Sequence, residues 1–151
     1  MALDSTVDQS LPHPPAERTA NQILVVEDHR DSRQAVRRIL EMSGNSVVAV
    51  STLAEARAAL DGLERGGNRD IQLVMTDLEL PDGDAEPFIR QTAESGVPCI
   101  VVSGHQSSED QARSCAAGAC EFIIKPLTFE ILTDLVQRYC HGNRAALEGT
   151  R

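Results

Sequence analysis

Residues 22–28 read Gln22-Ile23-Leu24-Val25-Val26-Glu27-Asp28, a short apolar run that stops on two carboxylates. Four more runs of the same texture follow: SVVAV at 46–50, IQLVMT at 71–76, PCIVVS at 98–103 and EFIIK at 121–125. Their apolar character is nearly continuous, as expected of parallel strands covered on both faces, whereas a half-exposed antiparallel strand would alternate. Helix-period segments lie between them. Ala35, Val36, Ile39, Leu40 and Ser43 share one helical face, with Asp31 and Gln34 placed as a capping box and Gly44 as a C-cap. Thr52 with Glu55 makes a second capping box, opening a helix that carries Leu53, Ala56, Leu60 and Leu63 before Gly66-Gly67. Segments 85–95, 106–117 and 128–140 complete the set, the last with Phe129, Leu132, Leu135, Val136 and Tyr139 on one side. Five β–α units within 22–140 predict an α/β fold, a doubly wound five-stranded parallel sheet with right-handed crossovers.

The chain of 151 residues is long enough for one core and short for separate substrate and cofactor lobes. Apolar residues make up 41% and aromatics 3%, with no Trp, so the core must be built from Val, Ile, Leu and Ala. Aromatic cages and base-stacking platforms are poorly supplied. Fourteen basic against 23 acidic residues give −9, the wrong sign for a phosphate backbone or an anionic membrane surface. Direct nucleic-acid binding is therefore disfavoured. Cysteines 99, 115, 120 and 140 form no C-x-x-C pair and have no His at zinc-ligand spacing, which reads as reduced thiols. With neither a secretory signal nor an apolar stretch of the ~20 residues a membrane span needs, the expected location is the cytoplasm. Residues 1–20, holding three of the seven prolines and no apolar period, read as a flexible arm. The globular domain spans 21–141, and 142–151 reads as a polar tail.

In a doubly wound sheet, function collects beyond the carboxyl ends of the strands. The first run ends in Glu27-Asp28, the third in Asp77, the fourth in Ser103-Gly104 and the fifth in Lys125-Pro126. Three carboxylates, a hydroxyl and an ammonium should meet on one edge. Carboxylates so placed repel one another and raise their own pKa values unless a cation joins them. Mg²⁺, which takes oxygen ligands, suits this set better than zinc; His29, beside the cluster, is read as a solvated loop residue. With charge partly neutralised, one carboxylate can attack a phosphoryl group, whose oxygens then need a metal, an ammonium and a hydroxyl as stabilisers. Of the 14 basic residues only Lys125 is lysine. Codon bias could account for the thirteen arginines, while a compact point charge at this position has a chemical use.

These residues resemble the receiver domain of bacterial two-component response regulators. ILVVEDH-x-x-S is similar to that family's first strand and acidic pair, VMTDLELPDGD to its phosphoacceptor segment, IVVSGH to its Ser/Thr strand and GACEFIIKPL to its Lys-Pro segment, together covering roughly 22–140. The resemblance implies a flavodoxin-like (βα)5 sheet of order 2-1-3-4-5. It implies that Asp77 accepts phosphate from a histidine kinase or phosphotransfer protein. Asp28 and Asp77 would contact Mg²⁺, with Glu27 close by or acting through water and the backbone carbonyl of Glu79 as a further ligand. Ser103 and Lys125 would bind the phosphoryl group, and Phe122 would be the aromatic that moves with Ser103. The Lys125-Pro126 bond corresponds to one commonly cis in the family. Glu79 and His105 stand where the family tunes water access to the phosphoryl group. Ala85 departs from the family's usual Gly, so Gly83 is expected to supply the loop's freedom.

The resemblance makes the chain a phosphorelay acceptor rather than an enzyme, with at most slow autodephosphorylation. Fewer than twelve residues follow the last helical segment, so the signal is expected to be delivered in trans, to a downstream protein or a second copy, through the fourth helix, fifth strand and fifth helix. Three other readings compete. An aspartate-nucleophile phosphatase of the haloacid dehalogenase kind would use Asp77-x-Glu79, but its extra acidic pair comes after the Ser/Thr and Lys motifs. A flavodoxin-like cofactor carrier would have its flavin phosphate repelled by Glu27-Asp28. A receiver fold used only as a scaffold would have no need of all five site residues.

Overall fold

The computed structural model describes residues 21–62 and 71–141. Five parallel strands form one sheet: β1 (Gln22–Val26), β2 (Ser46–Val50), β3 (Ile71–Thr76), β4 (Cys99–Ser103) and β5 (Glu121–Ile124), in the order β2-β1-β3-β4-β5. The helices between and after them are α1 (Arg30–Met42), α2 (Leu53–Asp61), α3 (Glu86–Glu94), α4 (Ser108–Ala117) and α5 (Phe129–Val136), which runs on into a π-helical turn at Gln137–His141. Each expected strand is present, shortened at its ends by at most one residue. An antiparallel hairpin pairing Glu79–Leu80 with Gly83–Asp84 was not expected. Gly83 closes it at φ +140°, supplying the freedom that Ala85, buried at the start of α3, does not.

The alternation along β1 assigns its side chains to two layers. Leu24 and Val26 point into a core shared with Leu53, Ala56 and Leu60 of α2 and Phe88 and Ile89 of α3. Ile23 and Val25 point the other way, against Val36 and Leu40 of α1 and Leu132, Leu135 and Val136 of α5. Both faces are covered, which is why the runs lack polar alternation. The four cysteines form no disulfide; Cys99 and Cys140 are buried, Cys115 and Cys120 exposed.

Three local expectations need correction. The Asp31–Gln34 capping box does not form: α1 starts earlier, with His29 at its N-cap and no side-chain capping bond, because the Arg33 N–H already reaches the His29 carbonyl at 2.9 Å. The Thr52–Glu55 box is half formed. Thr52 Oγ1 accepts from the Glu55 N–H, but the Glu55 carboxylate turns back to the N–H and hydroxyl of Ser51. Phe129, expected on one side of the last helix with Leu132, Leu135 and Val136, is 52% exposed, at the first residue of α5, while those three are buried. Gly44 adopts φ +95° after the end of α1 as expected. Leu63, Gly66-Gly67, the 1–20 arm and the 142–151 tail lie outside the described residues. Among the described residues no helix is long and apolar enough to cross a membrane.

The end of α4 carries a sharp packing constraint. Gly118 sits at φ +113°, and a Cβ there would stand 2.6 Å from Cβ of Ala93 at the end of α3. Both backbone strain and overlap oppose a side chain. Gly118→Ala is expected to cost about 2–3 kcal/mol, measured as a lower urea midpoint with unchanged slope. An unchanged midpoint would show that α3 and α4 separate without penalty.

Candidate functional site

Ladder bonds running one residue past the strands bring the site together. The Asp77 N–H donates to Val26 O at 3.1 Å, the Glu27 N–H to Val50 O at 3.0 Å, and the Lys125 N–H to Ser103 O at 2.8 Å. Glu27, Asp77 and Lys125 are thus each the first residue beyond a strand, Ser103 is the last of one, and Asp28 follows Glu27, so the sheet register fixes where these side chains start. Lys125 Nζ then reaches across the edge to Oε1 of Glu27 at 2.7 Å and Oδ2 of Asp77 at 3.4 Å. It joins the ends of β1, β3 and β5 with one ammonium. The Lys125–Pro126 bond is cis.

Glu27 is the most enclosed acid among the described residues, 6% exposed, its Oε2 accepting the His29 N–H at 3.0 Å. Asp77 Oδ1 accepts the Leu78 N–H at 2.8 Å. Burial pushes the Asp77 carboxyl above its usual range, and the negative charge of Glu27 adds to that; the Lys125 ammonium and the Leu78 N–H only partly offset it. Burial works against the Lys125 ammonium, but its bond to Glu27 and the charge of Asp77 more than compensate and raise its pKa. The corner is short of positive charge. Hard carboxylate donors at this edge, with Asp77 disfavoured as an anion, fit a divalent cation such as Mg²⁺.

Ser103, buried at the end of β4, has its hydroxyl engaged within its own loop, donating to His105 O and accepting from the His105 N–H, both at 3.1 Å. Phe122 pairs with Val101 in the sheet and packs, partly buried, against the Phe88 side of the core. Glu79 is exposed in the hairpin.

One residue at the site has no part in the sequence reading, and a second sits differently from its expected place. Arg33 Nη1 donates to the carbonyls of Glu27 at 2.9 Å and Asp28 at 3.4 Å, pinning the acidic pair's backbone from the first turns of α1. A readable signal existed, since a cation near a helix N-terminus opposes the macrodipole and calls for a local partner. His29, read as solvated, is exposed but turned toward the acids. Its ligating atom and one oxygen from each of Glu27 and Asp28 all lie within 4.8 Å of one another.

A family model for the response regulator receiver domain matches residues 23–137. The chain belongs to this family. Receivers of this kind are signalling domains that act as phosphoacceptors in two-component systems. Among relatives, this receiver is 36% identical over 105 residues to the KDP operon transcriptional regulatory protein KdpE of Escherichia coli strain K12, covering 69% of this chain and 44% of that protein. It is 31% identical over 122 residues to the probable methanogenesis regulatory protein FilR2 of Methanothrix harundinacea, covering 76% and 78%. Against the C4-dicarboxylate transport regulator DctD of Pseudomonas aeruginosa it spans 27% of the relative's length, so the chain is well under half as long as several relatives it matches. The fold superposes on a CheY-like receiver domain protein from Methanospirillum hungatei with a TM-score of 0.75 and 25% identity, covering 85% of this chain and 99% of that one.

The raised pKa of Asp77 has a stability consequence. A carboxyl whose folded pKa exceeds its unfolded value of 3.8 makes the native state bind more protons, so stability falls as pH rises from that value through the folded pKa. At neutral pH the Asp77 carboxylate is therefore a net cost. Asp77→Asn is expected to stabilise the metal-free receiver at pH 7 by about 1 kcal/mol, a rise in melting temperature of roughly 4 °C. The gain should fade toward pH 4. A variant less stable than wild type at pH 7 would contradict this account.

Proposed function

We propose that this receiver takes a phosphoryl group from a histidine kinase or phosphotransfer protein onto Asp77, with Mg²⁺ held by Asp28, Asp77 and the backbone carbonyl of Glu79, and Glu27 close by or acting through water. The observation that carries this reading is the reach of Lys125 Nζ to both Glu27 and Asp77 across three strand ends. When bound, the cation offsets the carboxylates' charge and that of the phosphoryl oxygens. Asp77 Oδ2, held only by the longer 3.4 Å contact to Lys125 while Oδ1 accepts the Leu78 N–H at 2.8 Å, is the attacking oxygen; as it bonds to phosphorus the bond from phosphorus to the donor's imidazole nitrogen breaks and the donor leaves. Lys125 supplies a fixed charge for a phosphoryl oxygen. The Ser103 hydroxyl, by giving up its bonds to His105, supplies a hydrogen bond to another.

That exchange links chemistry to surface. Ser103 begins the loop into α4, and Phe122 lies on the adjacent strand, so repacking here changes the face made by α4, β5 and α5. This face then binds a downstream protein in trans or a second copy. Incubation with acetyl phosphate and Mg²⁺ followed by intact mass tests the reading: one phosphoryl adduct on wild type and none on Asp77→Asn. No adduct on either protein would leave an interaction scaffold, and steady turnover of unrelated phosphate esters would favour the phosphatase.

A further inference from the structure

His29 is the one side chain in the acidic corner to which this function assigns no task. It occupies the N-cap of α1, where Ser, Thr, Asp or Asn would bond a free helix N–H, yet it makes no side-chain capping bond. Its imidazole instead faces the acids. Nδ1 is 3.6 Å from Oε2 of Glu27 and 3.8 Å from Oδ1 of Asp28. Those separations exceed hydrogen-bond length. Bonds of about 2.0–2.2 Å set neighbouring donor atoms roughly 3.0–3.6 Å apart and opposite ones about 4.2 Å apart; the Glu27 separation lies at the edge of the first range and the Asp28 separation between the two, so a small turn of the exposed ring brings all three atoms onto one ion. In Glu27, Oε1 is bonded to Lys125, while Oε2, which accepts the His29 backbone N–H through one lone pair, is the oxygen on the His29 side.

The other acidic group shows what a cluster without a metal looks like. Asp84, Glu86 and Asp110 converge on the guanidinium of Arg113 at 2.6–3.4 Å, so their charge is met from within the chain. Among the described residues Asp28 has no comparable cation. Arg33 is spent on backbone carbonyls, and Lys125 lies on Glu27 and Asp77.

We infer that His29 is a nitrogen ligand that biases this site toward a borderline transition cation such as Mn²⁺ over Mg²⁺. The inference rests on the proposed function only in so far as that reading puts a divalent cation beside Glu27 and Asp28. Mg²⁺ is hard and keeps oxygen and water ligands, whereas imidazole adds affinity along the series from Mn²⁺ toward Cu²⁺. An exposed ring on the solvent side of two carboxylates gives the later ions a donor that Mg²⁺ uses poorly. The remaining positions stay open to water or to a phosphoryl oxygen.

The test titrates the full chain with MnCl2 and with MgCl2 by calorimetry and examines bound Mn²⁺ by electron spin-echo envelope modulation. Wild type should show a ¹⁴N coupling from a directly bound imidazole, lost in both His29→Ala and His29→Asn. The ratio of Mn²⁺ to Mg²⁺ affinity should fall about ten-fold in both variants. Asn is a good N-cap, so His29→Asn keeps α1 intact and separates ligation from folding. Bound Mn²⁺ without nitrogen coupling, or an unchanged ratio, would overturn the role of His29 and leave the Mg²⁺ site standing. Wild type binding neither ion would overturn both.

Discussion

Lys125→Met is expected to slow phosphorylation of Asp77 by acetyl phosphate about 10²–10³-fold, the loss typical of removing one fixed stabiliser of transition-state charge. Nζ is 2.7 Å from Glu27 Oε1 and 3.4 Å from Asp77 Oδ2, so one ammonium answers two carboxylates in a corner that burial already makes unfavourable for Asp77. Methionine keeps the stem's bulk and removes only the charge and donors. Glu27 then loses its ammonium partner, and Asp77, facing Glu27 without the Lys125 charge, becomes a poorer nucleophile because its carboxyl is protonated at higher pH. Lys125→Arg should not restore the rate, since a planar guanidinium reaching Glu27 would occupy the space a phosphoryl group needs. Intact mass against time, at saturating Mg²⁺, reads the effect. A Lys125→Arg protein within two-fold of wild type would return the only lysine among fourteen basic residues to codon bias.

The strands were legible because each is covered on both faces, so burial writes an unbroken apolar run into the sequence, and because parallel strands bring their carboxyl ends to one edge. That is how Glu27, Asp77 and Lys125, which the structure joins, could be gathered from the sequence. Less legible were features that depend on where the chain turns. Residues 29–33 show why. A capping box at Asp31 and Gln34 is locally sound, but the acids at the end of β1 recruit the His29 N–H and the Arg33 guanidinium, and the helix starts around those bonds instead. A tertiary demand on two carboxylates overrode a local preference. The hairpin at 79–84 was hidden for the same reason. Asp82 leaves it to accept the N–H groups of Leu53 and Ala54 at 2.8 and 3.0 Å, capping α2 from 28–29 residues away, a bond with no local signature.

The core holds a comparable surprise in Phe88. Sequence reading singled out Phe122 and Phe129 among the three phenylalanines, yet Phe122 is only partly buried and Phe129 half exposed, while Phe88 is fully enclosed. In a chain with 3% aromatics this one ring is the largest fully buried side chain among the described residues, filling the layer between β1, β3, β4 and the helices α2 and α3. No rearrangement of Val, Ile and Leu neighbours, which are short and held by the sheet register, can refill a space of that size. Phe88→Ala is therefore expected to cost about 3–5 kcal/mol, combining lost burial with the cavity left behind. Phe88→Leu, closer in volume, should cost less than half as much. Because native domains have only about 5–15 kcal/mol in hand, the alanine variant should lose a large part of its stability in urea and become sensitive to proteolysis at room temperature. The fraction that remains folded keeps its strand ends in register, so its Lys125, Glu27 and Asp77 still meet. Added Mg²⁺, binding only the native form, should then recover part of the lost stability in Phe88→Ala but none in Phe88→Ala combined with Asp28→Asn. Equal recovery in both would mean that the cation binds elsewhere.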